Sequence, residues 1–343
     1  MSAPLRRAEV AQRIYEPYRS ELLAPWRVRE LSRLRPWRAA ADAFGCWLCI
    51  AATWLAVGWW PHWWVVLLAL PVVGTRYYAL FIIGHDGLHR RLLADRRAND
   101  LFNDLMILGP IGAITRINRT NHIEHHDYLA SPRDPDRHRH GCFNKADHLA
   151  LLGYLTGFTS IARSVRNVFM RGETNGRRDG GQGKASYGPR DLAILIGWQA
   201  LLLGVLTFWI GWWGYPVLWL LPVLLFTVLG DNLRSFLEHS HPERDDLADQ
   251  HRLVTFLSHP LERMLLAPMN MNYHTVHHLW TSIPYYNLAE ADREIRLRAT
   301  GSRLHWRVSY LAYLWRYARA LPLEECRPSG EAGPVRSRRA ETV

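Results

Sequence analysis

Residues Trp63–His89 read WWVVLLALPVVGTRYYALFIIGHDGLH. The apolar run over residues 63–84 is close to the roughly 20 residues that a helix needs to cross a bilayer. It ends on His85-Asp86-Gly87-Leu88-His89, a histidine pair spaced H-x-x-x-H. Helical positions i and i+4 share a face, so both imidazoles point the same way. Two further clusters follow: His122-Ile123-Glu124-His125-His126 and His274-Thr275-Val276-His277-His278. In H-x-x-H-H the adjacent pair diverges by about 100° around the helix axis. Such a pair can reach two different metals.

Outward from this stretch, the chain repeats the apolar pattern. Residues 40–60 form a first span, a tight turn follows at Pro61-His62, and residues 63–84 return. A second hairpin runs through residues 192–213, a turn at Gly214-Tyr215-Pro216, and residues 217–237. Both turns carry Trp pairs and a Pro, and neither has Lys or Arg. Trp and Tyr favour the membrane–water boundary, and cationic loops stay in the cytoplasm. The expected fold is an all-α integral membrane protein of four transmembrane helices in two hairpins, with a cytoplasmic helical cap holding the histidines. The expected location is a bacterial inner membrane, with both termini and all three clusters cytoplasmic. Arg76 lies inside the second span, where a charge is costly, and should face the bundle or snorkel.

The 343 residues are 48% hydrophobic with a net charge of +11. The basic residues are Arg except for Lys145 and Lys184. No nucleic-acid-binding motif accompanies them, so lipid head groups or an acidic redox partner are the expected counterparts. Residues 1–39 form a basic arm with no secretory signal peptide. Residues 40–300 form the membrane domain with its cap, and residues 301–343 a C-terminal helix and basic disordered tail. Residues 101–115, broken by Gly109-Pro110 and Gly112, read as a surface or re-entrant segment. Residues 146–170 read as an amphipathic surface helix, and residues 171–190 as a Gly-rich basic loop. Cys46, Cys49, Cys142 and Cys326 are expected to be reduced and structural.

The chemistry follows from ligand number. A structural zinc takes four ligands and a catalytic zinc usually three. His85, His89, His122, His125, His126, His274, His277 and His278 exceed one such site. They suit two metals with room for a small molecule such as O₂, and redox-active iron is the economical choice. His239, about two turns beyond Asp231 near the end of the fourth span, is the candidate ninth ligand, with His241 as its alternative. His62, in the outer turn, and His138, His140, His148, His251, His259 and His305 are left out. Asp86, Glu124, Asp134 and Glu238 are candidate acceptors for the second N–H of a ligating ring, and Asn270 and Asn272 candidate partners for a ligand or water.

These clusters resemble the three histidine boxes of the membrane fatty acid desaturase superfamily. The stretch Asn272-Tyr273-His274 through His277-His278-Leu279-Trp280, then Pro284-Tyr285-Tyr286-Asn287-Leu288, is similar to N-Y-H-x-x-H-H-L-(F/W)-P-x-x-P-Y-Y-x-L of acyl-lipid desaturases. Thr281 stands where that pattern often has Pro. Leu233-Arg234-Ser235-Phe236-Leu237-Glu238-His239 is similar to the stretch with the superfamily's extra histidine, and Asp134-Pro135-Asp136 is also familiar. The resemblance covers roughly residues 40–300. It implies two irons held mainly by histidine, O₂ activation and C–H abstraction from a lipid chain. The expected reaction is desaturation of an acyl chain, with electrons from a separate ferredoxin-like donor, since no H-P-G-G haem motif occurs. A hydroxylase or carotenoid ketolase of the same superfamily is the alternative. A His-rich metal transporter is a rival of another class, but transporters place their ligands near mid-span, and these clusters lie outside the spans.

Overall fold

A computed structural model describes residues 19–129, 134–136, 152–153, 156, 187–239, 253–298 and 304–320. His138, His140, His148, His241, His251, Cys142, Cys326 and the tail from Arg327 lie outside the described residues, as do nearly all of residues 146–170 and 171–190. Among the described residues four helices are long and apolar enough to cross a membrane. After the short α1 (Pro25–Leu31) these are α2 (Pro36–Trp59), α3 (Trp63–Leu88), α6 (Pro189–Ile210) and α7 (Pro216–His239). Between the hairpins run α4 (Arg96–Asn103) and α5 (Thr115–Tyr128), and beyond them α8 (Pro260–Leu266), α9 (His274–Leu279), α10 (Leu288–Arg298) and α11 (Tyr310–Ala320). The expected hairpins are present, and the described fold is mostly helical. The sequence reading missed one element, a parallel pair of three-residue strands, β1 (Val254–Phe256) and β2 (His305–Arg307). Such short strands carry too little period-2 pattern to be seen in a sequence.

The central helix is α3. Of its apolar window 56% is buried, against 11% for α6, whose Phe208 is 91% exposed. Apolar residues facing outward in this way match a lipid surround rather than water. The turns of the two hairpins share one end of the bundle, where Trp59 meets Trp209 and Trp60, Trp63 and Trp212 are exposed. The histidine-bearing end of α3 is opposite. The first and fourth spans pack on α3 through aromatic side chains. Trp47 stacks on Trp219, Tyr77 meets the same indole edge-on, and the Trp54 Nε1–H donates to the Leu218 carbonyl at 3.2 Å.

One span and one connecting segment depart from regular geometry. In α7, π-helical turns cover Pro216–Leu220 and Val223–Val228, flanking Pro222. Proline lacks the N–H of a regular helical bond, so a neighbouring turn widens around it. After α4 the chain widens again into a π-turn, Asp104–Leu108, and tightens at Gly109–Ile111. This is the segment expected to be re-entrant, and its Met106 carbonyl accepts from the Trp47 Nε1–H at 2.8 Å. Among the described residues Arg76 forms no ion pair. It lines a cavity beside α8.

Cys46 is buried in α2 and Cys49 exposed, both free thiols. The N-terminal part of the chain is tied to the cap. Arg27 pairs with Glu294, the Asn287 Nδ2–H donates to the Leu31 carbonyl at 2.6 Å, and the Tyr285 hydroxyl donates to Asp42 at 2.5 Å.

Close approach of α3 and α7 depends on Gly74. A Cβ there would lie 2.3 Å from the Phe226 ring and 2.7 Å from the Phe226 Cβ, so the ring cannot swing clear. Gly74→Ala should destabilise the protein in detergent by ~1–3 kcal/mol, the range for overpacking a tight contact. Gly45→Ala, with nothing within 4 Å of its Cβ, should be neutral or slightly stabilising. Thermal melting of both variants checks this, and equal melting temperatures would contradict the packing described.

Candidate metal centre

The last turn of α3 carries His85 and is capped by His89. The carbonyls at a helix C-terminus have no partners within the helix. Here they recruit donors from the next two helices. The Asn99 Nδ2–H donates to the Gly87 carbonyl at 2.9 Å, and Asn103 to that of Gly84 at 3.0 Å. Arg119 donates to the Leu88 carbonyl at 2.7 Å and to that of Gly87 at 3.0 Å, while pairing with Asp100. Gly87 allows this approach, since a Cβ there would lie 2.5 Å from the Asn103 side chain. These bonds fix α5 beside α3, and with it His122, His125 and His126.

The other histidines arrive on α7 and α9. His239 ends α7, and α9 consists of His274–Leu279, all of it buried. Every histidine expected at the site is brought together. The nitrogens of His85, His89, His122, His126 and His277 form one group, those of His125, His239 and His278 another, each within 4.8 Å of one another. His274 joins the second group, its Nε2 2.9 Å from the Nε2 of His239. The two groups adjoin, with the His126 and His278 rings 4.1 Å apart. Adjacent histidines do serve different groups, as the 100° divergence required. Among those left out, His62 stacks on Trp64 in the hairpin turn, His259 caps α8, and His305 lies in β2.

The donor set fits metal ions. A metal–imidazole bond of ~2.1 Å places opposed ligand nitrogens roughly 4 Å apart, comparable to the spread within each group. Both ring nitrogens of His278 are buried without a hydrogen-bond partner, as are Nδ1 of His85, His126 and His277. Leaving such groups unpaired is costly unless something else coordinates them.

Two of the four candidate carboxylates face these rings. Asp134 Oδ1 shares a hydrogen bond with the His125 Nδ1 at 3.0 Å, whereas Glu238 Oε2 lies 3.4 Å from the His274 Nδ1 without a hydrogen bond to it. An acceptor on Nδ1 fixes the tautomer and aims Nε2 at the centre. The other two do not. The Asp86 carboxylate accepts from the Tyr285 backbone N–H at 2.6 Å, and Glu124 meets no histidine among the described residues. Nor do the two asparagines, whose side chains donate to the carbonyls of Tyr285 and Phe256. The sequence reading passed over the partners of Glu238. Arg234 donates to it at 2.5 Å and the Tyr310 hydroxyl at 2.7 Å. The i,i+4 spacing of Arg234 and Glu238 was a visible sign; Tyr310, far along the chain, gave none.

Burial disfavours the charged form of six of these rings, His89, His122, His126, His274, His277 and His278. It pushes His89 down to about 3, with the Arg91 and Arg119 charges adding to the effect. Burial, then the neighbouring imidazoles, lowers His122, His126, His274 and His278 well below the usual histidine range. His277 is lowered in the same way by burial and then by His85 and His89. Neutral imidazole is the form that binds metal. The sign of the pH dependence follows. Between the ordinary value of 6.5 and about 3, an unfolded chain binds a proton at His89 that the folded chain refuses. The metal-free protein should therefore be most stable above pH 6.5 and lose stability as pH falls below it. Melting curves of metal-free protein between pH 8 and pH 5 test this, and a flat profile would contradict it.

Comparison with known proteins adds to the geometry. Residues 61–310 match the family model described as fatty acid desaturase. An sn-1 oleoyl-lipid 12-desaturase of Picosynechococcus sp. is 25% identical over 79% of this chain and 80% of its own. A beta-carotene ketolase of Paracoccus sp. is 25% identical over 70% of this chain and 87% of its own. An sn-1 acyl-lipid omega-3 desaturase (ferredoxin) of Nostoc sp. is 23% identical over 65% of each chain. The matched region contains all three histidine clusters and the four candidate spans apart from the first helix, and on that extent the chain belongs to the fatty acid desaturase family.

Proposed function

We propose that this membrane oxidoreductase desaturates the acyl chain of a lipid at a histidine-held pair of irons, using O₂ and electrons from a separate ferredoxin-like protein. The observation that carries the reading is the convergence of the histidines into two adjoining groups at one end of four apolar helices. His85, His89, His122, His126 and His277 would hold one iron; His125, His239, His274 and His278 the other. Bound iron supplies O₂ activation and the power to take hydrogen from an unactivated methylene. In balance, O₂, two electrons and two protons convert CH₂–CH₂ to CH=CH and two waters.

The chain's own part is orientation and exclusion of water. Asp134 fixes the ring of His125, and Glu238 lies beside that of His274. The Arg234 guanidinium and the Tyr310 hydroxyl hold Glu238 in turn. The net charge of +11 suits an acidic donor docking on the Arg-rich side. That side is proposed to be cytoplasmic, in a bacterial inner membrane, with residues 40–300 as the catalytic unit. Two of the similar proteins are beta-carotene ketolases, which supports ketolation of a carotenoid as a second reading.

Lipid and carotenoid analysis of a host expressing the chain separates the two. A new double bond in acyl chains supports the first, and a ketocarotenoid with unchanged acyl chains supports the second. Anaerobically purified protein should contain about two irons per chain, whereas one zinc and no iron after iron-supplemented growth would overturn the metal assignment. His239→Ala should lose turnover and lower iron content while inserting normally. Asp134→Asn should weaken iron retention by about 10–100-fold, the usual effect of losing a partner of a ligating histidine. Full activity in His239→Ala would remove it from the site. Reporter fusions at residues 61 and 214 should read as exterior, and a cytoplasmic result at either would refute the orientation.

A further inference from the structure

A cavity of about 320 Å³ lies between α3 and the segment joining α8 to α9, outside the histidine groups. Arg76 enters it from α3 and Arg263 from α8, both half-buried. No acidic residue lines it. Among the described residues neither guanidinium forms an ion pair or a hydrogen bond. Arg27, Arg119, Arg234 and Arg296, by contrast, each hold a carboxylate. The acid next to Arg263 is engaged elsewhere. Glu262 accepts from the Ser309 hydroxyl at 2.8 Å and from the Tyr310 and Leu311 backbone N–H groups at 3.0 and 3.1 Å, at the start of α11.

The cavity also presents an acceptor. Asn272 lines it and is fully buried; its Nδ2–H donates to the Phe256 carbonyl at 2.7 Å, and its Oδ1 has no partner. The wall between Arg263 and Asn272 includes Met269 and Asn270, consecutive non-glycine residues at φ 53° and 61°. Backbone held in this region persists only where the surroundings impose it.

Depth identifies the surroundings. Along α3, at 1.5 Å per residue, Arg76 is about 20 Å from Trp63 and about 14 Å from His85. It therefore lies in the histidine-side half of a hydrocarbon layer roughly 30 Å thick. Beside the cavity, α8 exposes Leu261 and Met264, and α11 exposes Leu311 and Trp315, with Arg319 over the Trp315 ring. Apolar and cationic groups side by side belong at a lipid interface.

We propose that this cavity is a binding site for the head group of an anionic, hydroxyl-bearing phospholipid of the phosphatidylglycerol type. The phosphate would sit between Arg76 and Arg263, whose planar forks match phosphate oxygens. A glycerol hydroxyl would donate to the Asn272 Oδ1. The acyl chain of the same lipid would then lie along α3 toward His85; this last step rests on the acyl-lipid reading above, whereas head-group binding does not.

Purified metal-free protein is titrated in mixed micelles with phosphatidylglycerol, phosphatidylcholine or inorganic phosphate, and bound lipid is read by native mass spectrometry. Wild type should prefer phosphatidylglycerol over phosphatidylcholine by about tenfold or more, and inorganic phosphate should not displace it. Arg76→Gln and Arg263→Gln should each reduce that preference by several fold, while Arg96→Gln, on an exposed residue of α4, should not. Arg263 lies on a short peripheral helix, so its variant remains informative if Arg76→Gln fails to fold. Unchanged binding in the Arg76→Gln/Arg263→Gln double variant would overturn the proposal. So would an equal loss in Arg96→Gln, which would reduce it to bulk charge, or displacement by inorganic phosphate, which would assign the cavity to the free anion. Product analysis of the iron-loaded protein is run separately. Head-group binding without acyl desaturation would leave this site standing and refute the acyl-lipid reading.

Discussion

The last turn of α3 has carbonyls that its own helix cannot satisfy, and much of the cap is arranged around them. A span that carries clustered histidines at its end must stop close to those side chains. Its terminal carbonyls then need donors in a crowded place. Asn99, Asn103 and Arg119 supply them, which brings α4 and α5 against α3. The histidines of α5 are thus positioned by an obligation of the backbone, before any metal is considered. Asp100, paired with Arg119, balances the charge that this arrangement buries.

A second arrangement closes the centre from the other side. Glu238 has no exposure, and a carboxylate so placed is tolerable only when fully partnered. Arg234 and the Tyr310 hydroxyl donate to it, the His274 ring lies beside it, and Arg234 also reaches Asp231 and the Tyr78 hydroxyl. Through these bonds α7, α11 and α3 meet at one point next to α9. Removing Arg234 would strand a buried carboxylate beside the His274 ring.

What the sequence revealed, and what it did not, divides along physical lines. The spans were legible because a run of apolar residues has a length that only a bilayer or a core demands. The histidine clusters were legible because H-x-x-x-H and H-x-x-H-H are local patterns on one helix face. His239 was reachable because it lies in register with the end of a span. The partners that hold the ligands were less legible, since Tyr310 is 72 residues from Glu238 and the two meet only in the folded chain. Asp86 misled for the opposite reason: it is next to a ligand in sequence, yet its carboxylate serves the Tyr285 backbone across the fold. The β1–β2 pair is a tertiary product of the same kind, with strands joining segments far apart in the chain.

The split of neighbouring residues between the two histidine groups has a further consequence. His125 and His126 lie side by side on α5 and face different groups, as do His277 and His278 on α9. Rotating either helix to improve one group spoils the other. A single-residue insertion between His122 and His126 would turn the downstream rings by about 100° and disrupt both groups at once. The loops that connect these helices can lengthen or shorten through generations, while the short stretches His122–His126 and His274–His278 cannot drift in register. A descendant of this chain can change its lipid-facing surface residue by residue, but it cannot discard one half of the centre and keep the other.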